Sequence, residues 1–129
     1  MDNRELLLNT ALELFHAKGY DAVGVQEIVD RAGVTKPTLY YYFGSKLGLL
    51  KSLLESQYSI LEEKITEASR TPGNLPTVLY QVARVFFDFA ASHEKFYLFM
   101  LALLYSGREN EAFQTVSPLI ERHYQLIVG

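Results

Sequence analysis

The sequence contains no cysteine and no tryptophan. The first absence removes disulfides, thiolate nucleophiles and cysteine-ligated zinc or iron–sulfur centres from consideration. No long run of apolar residues is present either. The most apolar stretch, FYLFMLALLYSG at residues 96–107, is too short for a bilayer, which needs roughly 20 apolar residues. A buried helix of a soluble bundle is the better reading, and no membrane partner is expected. The N-terminus MDNRELLLNT carries acids and lacks the apolar core of a secretory signal, so the expected location is cytoplasmic. An excess of positive charge is missing too. Net charge is −3, and residues 1–51 hold six basic and six acidic side chains, a balance of zero. Any nucleic-acid binding must therefore be local and geometric rather than a bulk electrostatic effect.

The 129 residues that remain are 49% hydrophobic and 21% charged, the balance of a globular chain. Almost every segment carries a helical period, and no strand pattern with turn chemistry is visible. Leu7, Ala11, Leu14 and Phe15 recur at i, i+4, i+7 and i+8, with Lys18 and Gly19 as a basic end and a stop. VQEIVDRA at 25–32 makes a short second helix between Gly24 and Gly33. Thr35 is placed to cap a third that ends at Phe43 and Gly44, with Pro37 tolerated in its first turn. Ser45 begins a long fourth from Lys46 to about Ser69, although the acid of a capping box is replaced by Gly48. RTPGNLP at 70–76 is the clearest loop. Helices follow at Thr77–Ser92 and Glu94–Tyr105, with a break at Gly107. A last one runs from about Asn110, interrupted or restarted at Ser117–Pro118. The chain stops on the apolar run HYQLIVG, which reads as truncation within the bundle.

Tyr40, Tyr41, Tyr42 and Phe43 form an unbroken aromatic row. With Leu39 at 0° and a step of about 100° per residue, Phe43 falls near Leu39 on the inner face. Pro37, Thr38, Tyr41 and Tyr42 make a continuous outer face, and Tyr40 flanks it. Tyrosines crowded on the outside of one short helix oppose solubility unless they meet a partner. A DNA major groove admits such a helix, with hydroxyls reaching phosphates and ring edges touching thymine methyls. Thr35, Lys36 and Lys46 stand at helix starts, where N–H groups and positive charge favour phosphate.

GYDAVGVQEIVDRAGVTKPTLYYYFGSKLGLL resembles the DNA-binding segment of the tetracycline-repressor (TetR) family of bacterial transcriptional regulators. The resemblance is carried by the aromatic after Gly19, Ile28-Val29, Ala32-Gly33-Val34 and Thr38 to Phe43 followed by Ser45-Lys46. It implies an all-α fold: a three-helix helix-turn-helix module at 1–45, joined by the long fourth helix to a helical effector-binding and dimerisation bundle at 46–129. It also implies a DNA-binding regulator, most often a repressor, that holds a palindromic operator as a homodimer and is released by a small-molecule effector. Carried over by position, the major-groove residues are Lys36, Pro37, Thr38, Tyr40, Tyr41 and Tyr42, with Lys46 on a phosphate. Thr35 and Gln26 are further candidates. Gly24 replaces the family's usual Ser or Thr at the start of the second helix, which leaves only N–H groups and the Gln26 amide for a contact there. Gly48 replaces the usual acid.

The second half is rich in aromatics, mostly at core spacing. An effector site between its helices, apolar or aromatic in preference, would draw on Tyr58, Arg84, Phe87, Phe96, Met100 and Tyr124. Gln81, Asp88, His93 and His123 are further polar groups there; His93 sits at a helix junction and reads as a cap, and Arg84 and Asp88 are spaced to pair with each other. The three histidines are far apart, and neither HExxH, GxSxG nor a phosphate-cradling glycine loop is present. No enzyme activity, cofactor or metal is expected. The reading from a different class is a helical ligand-binding or protein-interaction module that no longer reads DNA.

Overall fold

The computed structural model describes residues 2–105 and 110–128, without the side chains of residues 120, 123, 124 and 126–128. Seven helices and no strand occur among the described residues: α1 (Asn3–Lys18), α2 (Val25–Ala32), α3 (Lys36–Phe43), α4 (Lys46–Ser69), α5 (Leu75–Ser92), α6 (Glu94–Leu104) and α7 (Glu111–Val128). The chain is all-α, with an N-terminal three-helix module that α4 joins to a helical body.

Local chemistry sets these boundaries. Asp2 accepts the Glu5 N–H and opens α1. Gly33 ends α2 in the left-handed conformation (φ 74°), which lets the N–H of Val34 turn back to the Val29 carbonyl. Thr35 accepts the Thr38 N–H at the start of α3, and Ser45 accepts the Gly48 N–H at the start of α4.

Gly48 has a reason the capping argument missed. A Cβ built there would lie 2.0 Å from the Phe43 carbonyl oxygen, so the end of α3 and the first turn of α4 approach too closely for any side chain.

Two boundaries differ from the sequence reading. α5 begins at Leu75 rather than Thr77, because Asn74 caps it by accepting the Thr77 N–H at 3.1 Å. Pro76 then falls in the first turn, where it has no bond to lose. α7 runs through Pro118 without interruption. Proline forfeits one backbone bond inside a helix, and the buried Val116 and Leu119 on either side of it keep the helix seated. The expected break at Gly107 lies outside the described residues.

One apolar core spans module and body. Leu7, Ala11, Leu14 and Phe15 of α1 meet Ile28 and Val29 of α2, Leu39 of α3, and Leu49, Leu50, Leu53 and Leu54 of α4. The same cluster continues through Tyr58, Leu61 and Ile65 to Phe89, Phe96, Phe99 and Leu103, and reaches Ala112, Val116 and Leu119. α4 is 24 residues long, about 36 Å at 1.5 Å per residue, and packs on α1, α3, α5 and α7. It therefore links the module to the body helices α5 and α7. No helix of the described chain is long and apolar enough to cross a membrane.

Candidate nucleic-acid interface

The second and third helices and their turn form a helix-turn-helix seated on α1 and α4. α3 is held by one deeply buried residue, Leu39, which is fully enclosed. The half-buried Phe43 packs against the core, and the Arg4 guanidinium stands 5.8 Å from its ring centre.

The tyrosine row divides as the helical wheel requires at Tyr41, while Tyr40 and Tyr42 exchange their expected order of exposure. Tyr41 is 83% exposed, Tyr40 47% and Tyr42 39%. Tyr42 is the most sheltered because its ring meets Tyr41 edge-on at 5.1 Å and leans on Phe43 at 6.1 Å. Lys36 and Pro37 are exposed beside them. Thr38, expected outside, is half-buried, and its hydroxyl lies 2.9 Å from that of Thr35. The α3 N-terminus thus carries two coupled hydroxyls and an exposed lysine.

Gln26 is exposed on α2, with its amide donating to the Asp30 carboxylate at 2.7 Å. Lys46 is the candidate whose setting differs most from expectation. Its ammonium lies 3.9 Å from the centre of the Tyr20 ring, a cation–π contact. Partial burial pulls its pKa below that of an ordinary lysine, against the opposing pull of Asp21 and Glu111. Tyr20 itself is buried against Phe15 and donates its hydroxyl to Glu111 on α7 at 3.4 Å. Burial, reinforced by that carboxylate, raises the Tyr20 pKa well above the normal phenol value. The meeting of Tyr20 and Asp21 with Asn110 and Glu111 was not read from the sequence, where Tyr20 entered only as the aromatic after Gly19 and Asn110 only as the approximate start of the last helix. Some 90 residues separate the two pairs, and nothing local signals their meeting.

The six residues expected around an effector do not form one cluster. Tyr58 and Phe96 are buried, with rings edge-to-face at 5.9 Å, and half-buried Met100 packs against the same core. Phe87 is 76% exposed. Arg84 is also exposed, 3.8 Å from Asp88. Both occupy the outer face of α5, whose inner face is set by Val82, Val85, Phe86 and Phe89. The Tyr124 and His123 side chains lie outside the described residues. His93 ends α5 and starts α6, with its ring stacked on Phe89 at 4.2 Å, a junction residue as its position suggested. Among the described residues no cluster of histidines and acids could hold a metal.

Residues 7–53 match the family described as "Bacterial regulatory proteins, tetR family". Over 88 residues the chain is 41% identical to the HTH-type transcriptional activator FasR of Mycolicibacterium smegmatis, a stretch covering 68% of this chain and 40% of that one. Over 50 residues it is 48% identical to the HTH-type transcriptional repressor BdcR of Escherichia coli, covering 39% of this chain and 25% of that one. Its fold is similar to the transcriptional regulator FadR from Bacillus subtilis, solved in complex with stearoyl-CoA. The TM-score is 0.79 at 23% identity, over 95% of this chain and 65% of that one. The matched stretches span well under half of these curated relatives. The relatives are transcriptional regulators, not enzymes.

Proposed function

We propose, from the premise that this chain carries the DNA-binding module of the TetR family, that it is an operator-binding transcriptional repressor released by a small apolar effector. The observation that carries this reading is the outward tyrosine row on a short helix pinned by one fully buried leucine. In this reading α3 enters the major groove. Tyr40, Tyr41 and Tyr42 meet base edges and phosphates, Lys36, Pro37 and Thr38 line the entry of the helix, and Thr35, Gln26 and Lys46 serve the backbone. Residues 1–45 act as the reader and 46–129 as effector and assembly body.

A pair of such modules held about 34–36 Å apart reads two half-sites of a palindrome in successive major grooves, so a homodimer is part of the proposal. Leu75, Leu79 and Phe87 on the outer face of α5 are more than half exposed, an apolar surface that favours further protein against it. The effector is proposed to be apolar because the core of the body is built from Tyr58, Phe89, Phe96 and Phe99; the stearoyl-CoA bound by a protein of similar fold is in keeping with that. Effector binding repositions α4 and with it the module, and by linkage DNA must weaken the effector as much as the effector weakens DNA.

The test is the salt dependence of duplex binding. Six phosphate contacts make affinity fall on the order of 10³-fold between about 50 and 200 mM salt. A salt-independent affinity, or none with a folded dimer, would favour the non-reading module instead.

A further inference from the structure

Lys46 begins α4, the helix that joins the module to the body. Its ammonium lies on the Tyr20 ring in the α1–α2 connector, partly sheltered from solvent. The Tyr20 hydroxyl in turn donates to Glu111, in the first turn of α7. A second tie runs parallel to it: the Asn110 amide donates to the Asp21 carboxylate at 3.0 Å, while the Asn110 side-chain oxygen accepts the Ala112 N–H at 2.8 Å. Two adjacent connector residues are therefore bound to two adjacent residues at the start of α7.

The surroundings of these ties are loosely filled. A cavity of about 290 Å³, lined by Gly19, Tyr20, Phe99, Leu103, Asn110 and Ala112 among others, opens beside them. Close-packed interfaces resist displacement, whereas elements joined by a few polar ties across open space separate at low cost. The start of α7 meets the connector through these two polar ties, with Ala112, next to Glu111, seated in the core. The charges also have a definite sense. Glu111 and Asp21 both attract the Lys46 ammonium, and both would repel a DNA phosphate brought to it.

We propose that Tyr20 and Glu111 are positioning residues for Lys46: ring and carboxylate together hold its ammonium back from the DNA backbone, and the position of α7 sets how firmly. This rests on the operator-binding reading above and adds a regulatory contact to it. With the ties closed, Lys46 is engaged within the protein. With α7 displaced, or Glu111 neutralised, it is released to a phosphate. The body thereby tunes the number of backbone contacts made by each module, in addition to the spacing of the two modules.

The experiment measures binding of the intact protein to a duplex recovered by selection from random DNA, over a salt series. Wild type, Glu111→Gln, Lys46→Ala and the double variant are compared. Glu111→Gln is expected to bind about two- to fivefold tighter, the worth of one partly exposed charge–charge attraction. Its plot of log affinity against log salt is expected to steepen by up to about 0.9, one added phosphate. In the Lys46→Ala background the gain should vanish. Weaker binding by Glu111→Gln, or the same gain with Lys46 absent, overturns the proposal, because the carboxylate would then be acting on DNA directly. A protein that recovers no duplex at all refutes the operator-binding reading instead. A DNA-free readout then still decides the contact: the Lys46 ε-methylene resonance, expected upfield under the Tyr20 ring, should move toward that of free lysine in Glu111→Gln and in Tyr20→Leu. An unmoved resonance in both overturns the positioning role.

Discussion

Tyr41→Ala separates the two roles of the aromatic row most sharply. Tyr41 is 83% exposed, so folding removes only about a sixth of its surface from water. For a side chain of about 200 Å² that is about 35 Å², worth about 0.9 kcal/mol at 25 cal/mol per Å². The edge contact with Tyr42 adds on the order of 0.5 kcal/mol, and alanine's better helix propensity returns about as much. The net loss of stability is about 1 kcal/mol, a shift in melting temperature of roughly 4 °C for a chain of this size. If the ring instead meets a base edge or phosphate, its removal costs about 1–2 kcal/mol of binding, roughly 5- to 30-fold in affinity. Thermal melting and titration of the operator duplex, run on the same preparation, read the two numbers side by side. Unchanged affinity with unchanged melting would show that the outer face of α3 does not touch DNA. A large drop in melting temperature would show that Tyr41 is structural after all.

Leu39→Ala should do the converse, losing about 2–5 kcal/mol of stability, because this fully enclosed side chain is the one deep anchor of α3; denaturant unfolding measures it. Gly48→Ala should also destabilise, since its Cβ would collide with the Phe43 carbonyl, and a melting temperature equal to wild type would mean that the α3–α4 junction is looser than described. Arg84→Ala should change stability by less than about 0.5 kcal/mol, as an exposed i, i+4 pair contributes little. Alkaline pH gives a signed expectation. Burial raises the Tyr58 pKa above the ordinary value of 10, so its contribution is fully present below about pH 10. Above that the unfolded chain loses a proton that the folded one keeps, and stability falls by up to about 1.4 kcal/mol per pH unit. Tyr58→Phe should flatten that limb in urea melts, and an identical slope would mean another group is responsible.

The parts of this molecule that were legible in the sequence are those that local chemistry decides. α2 is bounded by Gly24 and Gly33, α3 by Thr35 and Gly44, and α4 begins at Ser45, because caps and left-handed glycines act within a few residues. The outward face of α3 followed from Leu39 only in part: Tyr41 lies outside, but Thr38 is half-buried and flanking Tyr40 is more exposed than Tyr42. Asn74 was overlooked because Pro76 resembles loop punctuation, although proline suits the first turn of a helix. Continuity through Pro118 was undecidable locally, since burial of Val116 and Leu119 against the body determines it. The setting of Lys46 was illegible for the same reason at longer range. The Tyr20–Glu111 tie spans 91 positions, and no period or motif connects them. The effector residues were chosen by composition, and composition does not say that Phe87 and Arg84 lie on the outer face of α5 while Phe96 lies inside.

The central claim is that α3 reads DNA through its outer tyrosines. Selection from random duplexes with the intact protein, repeated with Tyr42→Ala, tests it most directly. The account predicts an enriched palindrome with wild type and its loss with the variant while the fold is retained. Recovery of the same palindrome by both proteins, or of no sequence by a folded dimeric wild type, would contradict it.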